Sequence, residues 1–240
     1  MADKQIELAY FPIVGRGQQI LTLCAEHDIK VGFLVAKPFG DDFDKDTQSP
    51  FGTLPWMKDP AEGLVLNDSL AIVQYLVKQY PGPATPRSTK EEALAANMWS
   101  WVQDYYSYVL SPLHDIIMDK SGDPFWRNLR LTDTLADGGK EKKISRIKTL
   151  HEKRAGYLEK ELERMGAPQF LAGDGYTYAD IFLFTSVRTT QLSKGFGGFR
   201  DACGGDPFAA YPNIRAICDR VEARPAVKAS IGAKFENAPV

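Results

Sequence analysis

The segment Tyr80-Pro81-Gly82-Pro83-Ala84-Thr85-Pro86 divides the 240-residue chain into two parts that read differently. Three prolines and a glycine within seven residues suit neither a helix interior nor a strand, because proline fixes φ and lacks an N–H donor. Before this segment, short β-branched and aromatic runs alternate with helical ones. Ile6 to Phe11 reads as a strand and Gly15 to His27 as a helix; Val31 to Val35 reads as a second strand, which Pro38-Phe39-Gly40 ends. Asp41 to Ser49 is polar and acidic, and reads as a surface loop or a short irregular helix. Trp56-Met57-Lys58 and Leu64-Val65-Leu66 pair around a turn at Asp59 to Gly63, and Ser69 to Lys78 carries Leu70, Ile72, Val73 and Leu76 at helical spacing. The order β-α-β-turn-β-β-α predicts a small mixed sheet flanked by helices.

Beyond the proline-rich segment the strand signature disappears. Between 91 and 118, Leu94, Met98, Trp101, Val102, Tyr105 and Val109 recur at three- and four-residue spacing; between 140 and 165, Ile144, Ile147, Leu150, Leu158, Leu162 and Met165 do the same. Thr177-Tyr178-Ala179-Asp180 resembles a capping box and opens the very apolar, hence buried, helix that continues through Ile181-Phe182-Leu183-Phe184. A last helix runs from Pro212 to about Ala223, before Arg224-Pro225. Two glycine-containing stretches, Lys120 to Gly139 and Lys194 to Pro207, read as loops, the first with room for a short helix around Phe125 to Leu131. The second part is therefore all-α.

Composition closes off several classes of function. Residues are 44% hydrophobic and 25% charged, as in a folded globular protein, and 29 basic against 31 acidic side chains leave a net charge of −2. That balance offers no attraction to nucleic acid or to an anionic membrane. No apolar run approaches the roughly 18–20 residues needed to span a bilayer, and the N-terminus has no apolar signal-like segment. Cys24, Cys203 and Cys218 are an odd number without CxxC spacing, so neither a disulfide framework nor a zinc site is expected, and a cytoplasmic location is. No metal is expected at all: His27, His114 and His151 lack ligand spacing and read as structural or solvated, and Gly195-Phe196-Gly197-Gly198 lacks the lysine of a phosphate loop.

Three segments carry candidate chemistry. Tyr10 ends the first strand of Leu8-Ala9-Tyr10-Phe11-Pro12-Ile13-Val14-Gly15-Arg16-Gly17, beside the amide donors that open the next helix. That place suits an anion, since unpaired N–H groups and the helix dipole point at it; the alternative is that Tyr10 and Phe11 only pack the sheet. Leu54-Pro55 leads straight into a strand, where a proline fits as a cis peptide that turns the N–H and C=O of Leu54 toward an extended ligand, or as a plain trans proline in a turn. Asn67-Asp68-Ser69 precedes the helix at Leu70. An acidic or hydroxyl residue there is first of all an N-cap worth roughly 1 kcal/mol, and it can also hold the charged groups of an amino acid.

Taken in order, Tyr-Phe-Pro-x-x-Gly-Arg, Gly-x-Leu-Pro before a strand, Asp-Ser-x-Ala-Ile at a helix start, a proline-rich linker and a helical half resemble the cytosolic glutathione transferases. The resemblance continues through Tyr176 to Asp180, Pro212-Asn213-Ile214 and Ala223 to Val227, and is nearest the tyrosine-type classes, pi and sigma. It implies an α/β thioredoxin-like N-terminal domain that binds glutathione, residues 1–82, a linker at 83–89, and an all-α helical C-terminal domain at 90–240 that adds the site for a small hydrophobic electrophile. Catalysis would then be activation of the cosubstrate's own thiol. A free thiol with a pKa of ~8.5 is only ~3% thiolate at pH 7. Lowering that pKa by ~2 units makes it about three-quarters thiolate and takes ~2.7 kcal/mol, much of which one phenol-to-thiolate hydrogen bond of ~1.5–3 kcal/mol can supply.

By motif position the resemblance makes Tyr10 catalytic and puts Arg16 close by. Leu54 would pair its backbone with the cysteinyl part of glutathione, Thr53 and Pro55 beside it would also bind glutathione, Asp68 and Ser69 would hold the γ-glutamyl end, and Lys45 and Phe39 would approach the glycine end. Asp104 would reach the γ-glutamyl amine of a partner subunit's glutathione, in a homodimer into which Phe51 inserts as an aromatic knob. Ile13, Tyr105, Tyr108 and His114 would line the electrophile pocket. Asp68 stands where the family usually has glutamine, and Phe39 is the nearest aromatic to a position that is often tryptophan. Two other readings stay open: a glutathione-dependent isomerase of sigma type, and a non-catalytic, crystallin-like or ligand-carrying member.

Overall fold

The computed structural model describes residues 4–119 and 139–230. Strands β1 (Gln5–Tyr10), β2 (Lys30–Val35), β3 (Trp56–Asp59) and β4 (Leu64–Asn67) form one sheet in the order β2-β1-β3-β4. Strand β1 lies parallel to β2 and antiparallel to β3, which pairs antiparallel with β4. Helices α1 (Arg16–Glu26) and α3 (Ser69–Gln79) cover one face, and the four-residue helix α2 (Lys45–Gln48) follows β2. The two-residue period of β1 decides what faces what. Ile6 and Leu8 join Ile20 and Leu23 of α1 and Ile72, Val73 and Leu76 of α3 in the main core. Ala9 points the other way, into a small cluster with Ala36, Phe43 and Trp56, against which Phe11, Leu34 and Leu54 pack. Asp44 starts α2 by accepting the Asp46 N–H at 3.1 Å, so the acidic stretch is the short helix rather than a bare loop.

The proline-rich segment is tied down by His27. Its Nδ1 lies 2.8 Å from the Tyr80 carbonyl and its Nε2 accepts the Ala84 N–H at 3.2 Å, which fixes the neutral tautomer with the proton on Nδ1. A Cβ on Gly82 would meet that ring at 2.7 Å, so only glycine lets the linker pass so close. From there Ser88 caps α4 (Thr89–Tyr105) through the Glu91 N–H. One π turn, Tyr106–Leu110, joins α4 to α5 (Ser111–Asp119). Further helices of the described residues are α6 (Gly139–Arg164), α7 (Tyr178–Leu192), α8 (Gly197–Cys203) and α9 (Pro212–Glu222). The apolar α7 packs against α1, α4 and α9 and so joins the two halves. Its capping box is present: Asp180 accepts the Thr177 N–H at 2.8 Å and the Leu171 N–H at 2.7 Å. The buried Glu159 of α6 accepts from both nitrogens of Asn213 and the Ile214 N–H, opening α9.

This is a thioredoxin-like α/β unit followed by a helical one, as the sequence implies. One expectation fails in detail. Lys194 to Pro207 is not a plain loop but a 3₁₀ turn at Lys194–Phe196 and the helix α8. Phe196 and Phe199, three residues apart, are both buried and hold it on the core. The short helix expected around Phe125 to Leu131 lies outside the described residues. Cys24 and Cys218 are buried, and all three thiols are unpaired; burial pushes Cys24 up to about 12, far from a reactive thiolate. No helix among the described residues is long and apolar enough to cross a membrane, and none of their His, Cys, Asp and Glu side chains gather into a group that could hold a metal.

Candidate functional site

Tyr10 stands opposite Val35 at the end of β1, with its ring buried and its hydroxyl at the start of α1. Gly15 is the N-cap of α1 and has no side chain to satisfy the first N–H groups. The Tyr10 oxygen does this instead, accepting the Arg16 N–H at 3.2 Å. Burial pushes the phenol above its ordinary pKa, against the smaller opposing effects of the Arg16 charge and of hydrogen bonding from the backbone. Tyr10 is therefore a neutral donor at neutral pH, with its oxygen already accepting and its proton available. Glycine is required beside it: a Cβ on Gly17 would lie 2.4 Å from the Tyr10 ring, and one on Gly15 2.8 Å from its hydroxyl.

The wall facing Tyr10 comes from the helical half and differs from the sequence expectation. Tyr105 is not in it. Its side chain is in the core, with its hydroxyl 2.9 Å from His151 Nδ1 and its ring stacked on Trp101. Tyr108 is not beside Tyr10 either; it is 47% exposed, with the Arg154 guanidinium 4.2 Å above its ring. The tyrosine of this stretch that comes to the Tyr10 side is Tyr106: a Cβ on Gly15 would lie 3.2 Å from its hydroxyl and 2.8 Å from that of Tyr10. The cause is the π turn, which adds a residue to the helical repeat at this point and changes which side chains face inward. The Arg16 guanidinium sits 4.8 Å over the Tyr106 ring, and an aromatic row continues from Tyr106 to His114 at 6.2 Å and on to Phe196 at 5.1 Å. Ile13 is half-buried in the loop between β1 and α1.

His114 gives a test of this wall. Burial lowers its imidazole from 6.5 to about 4, a hydrogen bond with the Leu110 backbone acting the other way. A histidine depressed in the native state takes up a proton on unfolding, so its contribution is complete above about pH 6.5 and lost as the pH falls toward 4. Unfolding should be easier by about 2 kcal/mol at about pH 5 than at about pH 7.5 on account of His114 alone. Burial lowers His27 and His151 as well, which steepens the same slope. Denaturant midpoints at the two pH values check this, and His114→Phe should flatten the slope. A variant with the parent's slope would mean that the imidazole is solvated.

A second cluster lies at the start of α3. Asp68 caps the helix, its Oδ1 accepting the Leu70 N–H at 2.9 Å, and its backbone has φ +76°, which an L-residue rarely adopts. Ser69 is 1% exposed, yet its hydroxyl has no hydrogen-bond partner among the described residues. A buried hydroxyl without a partner at the N-terminus of an eleven-residue helix is a ready donor to an anion. Asn67, read from sequence only as the approach to the cap, organises the rest. Its Nδ2 donates to Ser49 Oγ at 2.7 Å and to the Thr53 carbonyl at 3.0 Å, while Ser49 Oγ accepts the Thr53 N–H at 3.2 Å. That network fastens the loop before Leu54-Pro55, a cis peptide, to the end of β4.

The other expected residues are more dispersed. Phe39 packs edge-on against Phe11 at 5.8 Å, and Phe11 against Tyr10 at 5.7 Å. Lys45 Nζ pairs with Asp46 at 2.5 Å. Asp104 Oδ2 is held by Arg154 at 3.0 Å, in the exposed cluster that includes Tyr108. Phe51 is 76% exposed in its loop.

Comparison with known proteins places both halves in one group. Residues 17–84 match the model for the glutathione S-transferase N-terminal domain, and residues 123–232 the model for the C-terminal domain. The curated relatives include a glutathione S-transferase-like protein, OpS6, of Beauveria bassiana, 28% identical over 183 residues, which are 75% of this chain and 72% of that one. The hematopoietic prostaglandin D synthase of Gallus gallus is 28% identical over 227 residues, 94% of each chain. Among solved structures, the glutathione S-transferase of Ascaris lumbricoides superposes with a TM-score of 0.69 at 20% identity, covering 96% of this chain and 97% of its own.

Proposed function

Since the chain belongs to the glutathione S-transferase family, we propose that it conjugates the thiolate of glutathione, activated by Tyr10, to small hydrophobic electrophiles, whose leaving group or π bond takes up the displaced electron pair. The observation that carries this reading is the Tyr10 hydroxyl at the N-terminus of α1, accepting the Arg16 N–H and keeping its own proton to give. A thiolate placed there receives that hydrogen bond and the favourable end of the helix dipole. Nucleophile activation then consists of stabilising the anion of a bound cosubstrate, with no covalent enzyme intermediate.

In this reading residues 1–82 hold glutathione, 83–89 link, and 90–240 supply the electrophile side. The unpartnered Ser69 hydroxyl and the α3 N-terminus take the γ-glutamyl carboxylate, and Asp68 takes the ammonium. Leu54 pairs its backbone with the cysteinyl unit, between Thr53 and Pro55, in the loop that Asn67 fastens. Lys45 and Phe39 approach the glycine end. Ile13, Tyr106 and His114 face the electrophile, with Tyr106 taking the place expected of Tyr105 and Tyr108. In a homodimer with Phe51 as the knob, Asp104 reaches the partner's glutathione through Oδ1, since Arg154 holds Oδ2.

Calorimetric titration with glutathione, run beside conjugation of a generic aryl halide, tests the proposal. Micromolar-to-millimolar binding with turnover is the expected result. Binding without turnover would favour glutathione-dependent isomerisation, a second reading supported by the end-to-end match with the Gallus gallus synthase. Absence of binding would overturn both and leave a carrier or structural role.

A further inference from the structure

We infer that His27 is a proton-operated clasp between the two halves of the chain, holding Ala84 of the proline-rich segment only while its Nε2 is free to accept, so that acid releases the segment. The inference is independent of the transferase reading. Ala84 is fully buried and bonded on both sides. Its N–H is donated at 3.2 Å to Nε2 of His27, the C-cap of α1. Its carbonyl accepts at 3.0 Å the N–H of Tyr178, the first residue of α7. A single residue between the halves thus ties α1 of the α/β unit to α7 of the helical one.

A neutral imidazole has one N–H and one lone pair. His27 spends the N–H on the Tyr80 carbonyl, 2.8 Å from Nδ1, and the lone pair on Ala84. A proton added at Nε2 would face the Ala84 N–H, donor against donor, and a backbone amide cannot turn to accept. His151 shows the contrast. Its Nε2 donates to the Pro207 carbonyl at 2.7 Å and its Nδ1 lies 2.9 Å from the Tyr105 hydroxyl, and a hydroxyl can reverse from donor to acceptor. The His27 ring is also boxed in. It is 2% exposed, and a Cβ on Gly82 would lie 2.7 Å from it, so a charged ring regains water only when the segment moves off.

The groups around the ring oppose one another. Glu26 favours a proton on His27, but its carboxylate is held by Arg224 at 2.7 Å. Lys4, whose Nζ donates to the His27 carbonyl at 3.3 Å, disfavours one. Asp28, next in the chain, is exposed. At the end of α3, Tyr80 gives its hydroxyl to Asp59, as Tyr75 does; at the start of α7 stands Tyr178. Burial outweighs them all and lowers the imidazole below 6.5. In the released form the ring titrates at its ordinary value, so the clasp has its full strength above about pH 6.5 and weakens as the pH falls.

Hydrogen exchange followed by NMR in the full chain, at about pH 7.5 and about pH 5, tests this. Protection factors report local opening directly, and the Leu158 amide, in the buried stripe of α6, reports global unfolding. Between the two pH values the Ala84 amide should lose up to about 30-fold more protection than Leu158. Tyr178, bonded to the same residue, should lose protection with it. His27→Gln offers an acceptor that gains no proton in this range, so the Ala84 excess should vanish in that variant. Protection at Ala84 that tracks Leu158 in the native protein, or an excess that persists in His27→Gln, would overturn the inference. If His27→Gln fails to fold, the native protein decides: the His27 ring resonances must titrate at the midpoint of the Ala84 opening, and a separate midpoint is equally fatal.

Discussion

Tyr10→Phe is expected to lower turnover about 10- to 100-fold near neutral pH while leaving glutathione affinity within a few-fold of the parent's. The size follows from the loss of one hydrogen bond to a charged sulfur, ~1.5–3 kcal/mol. The binding energy is expected to survive because the groups proposed to hold glutathione lie elsewhere, at Ser69, Asp68 and the Leu54 backbone. The loss should shrink as the pH approaches the thiol's solution value of ~8.5, where the thiolate forms without help. A loss of the same size at every pH would point to misplacement of the substrate rather than to its ionisation. The fold should hardly notice the change, since the ring stays and only the Arg16 N–H loses its acceptor.

Gly17→Ala is expected to have an effect of similar size through packing alone. The new Cβ would stand 2.4 Å from two atoms of the Tyr10 ring and 2.7 Å from its Cβ, inside any permitted contact. Tyr10 is buried at the end of a strand bonded on both sides, so relief comes by rotating or pushing the ring, which moves the hydroxyl. A displacement of about 1 Å at such a group costs up to roughly 10²-fold in rate. Alanine's helix preference over glycine, about 1 kcal/mol, works in the opposite direction. Overpacking of about 1–3 kcal/mol outweighs it, so a lower melting temperature should accompany the slower turnover. Parent-like activity in Gly17→Ala would mean that the ring is free to move and that its placement is not fixed by α1.

The residues legible in the sequence are those whose role is set by local chain geometry. Tyr10 ends an apolar run and precedes a glycine-opened helix, and Ser69 begins one after an acidic cap; both positions follow from where the elements start and stop. The buried α7 was legible for the same reason, its capping box and unbroken apolar run marking it. Residues set by long-range contact or by an irregular turn were not legible. Asn67 acts on Ser49 and Thr53, across a gap that no periodicity encodes. Tyr105 carried a usable signal, its spacing with Val102 and Val109 on the buried stripe, and that stripe outweighed its proximity to the pocket. Tyr106 was hidden by the π turn, because counting by threes and fours assumes an unbroken α-helix. Phe196 and Phe199 likewise overrode the glycines around them once burial, rather than local flexibility, decided the structure of that stretch.

The central claim is that Tyr10 ionises a bound thiol, and the pH titration of thiolate absorbance in the native protein saturated with glutathione measures it directly. The account predicts a midpoint roughly 2 units below the ~8.5 of a free thiol, returning most of the way to that value in Tyr10→Phe. A bound thiol that titrates at its solution value in the native protein would contradict it.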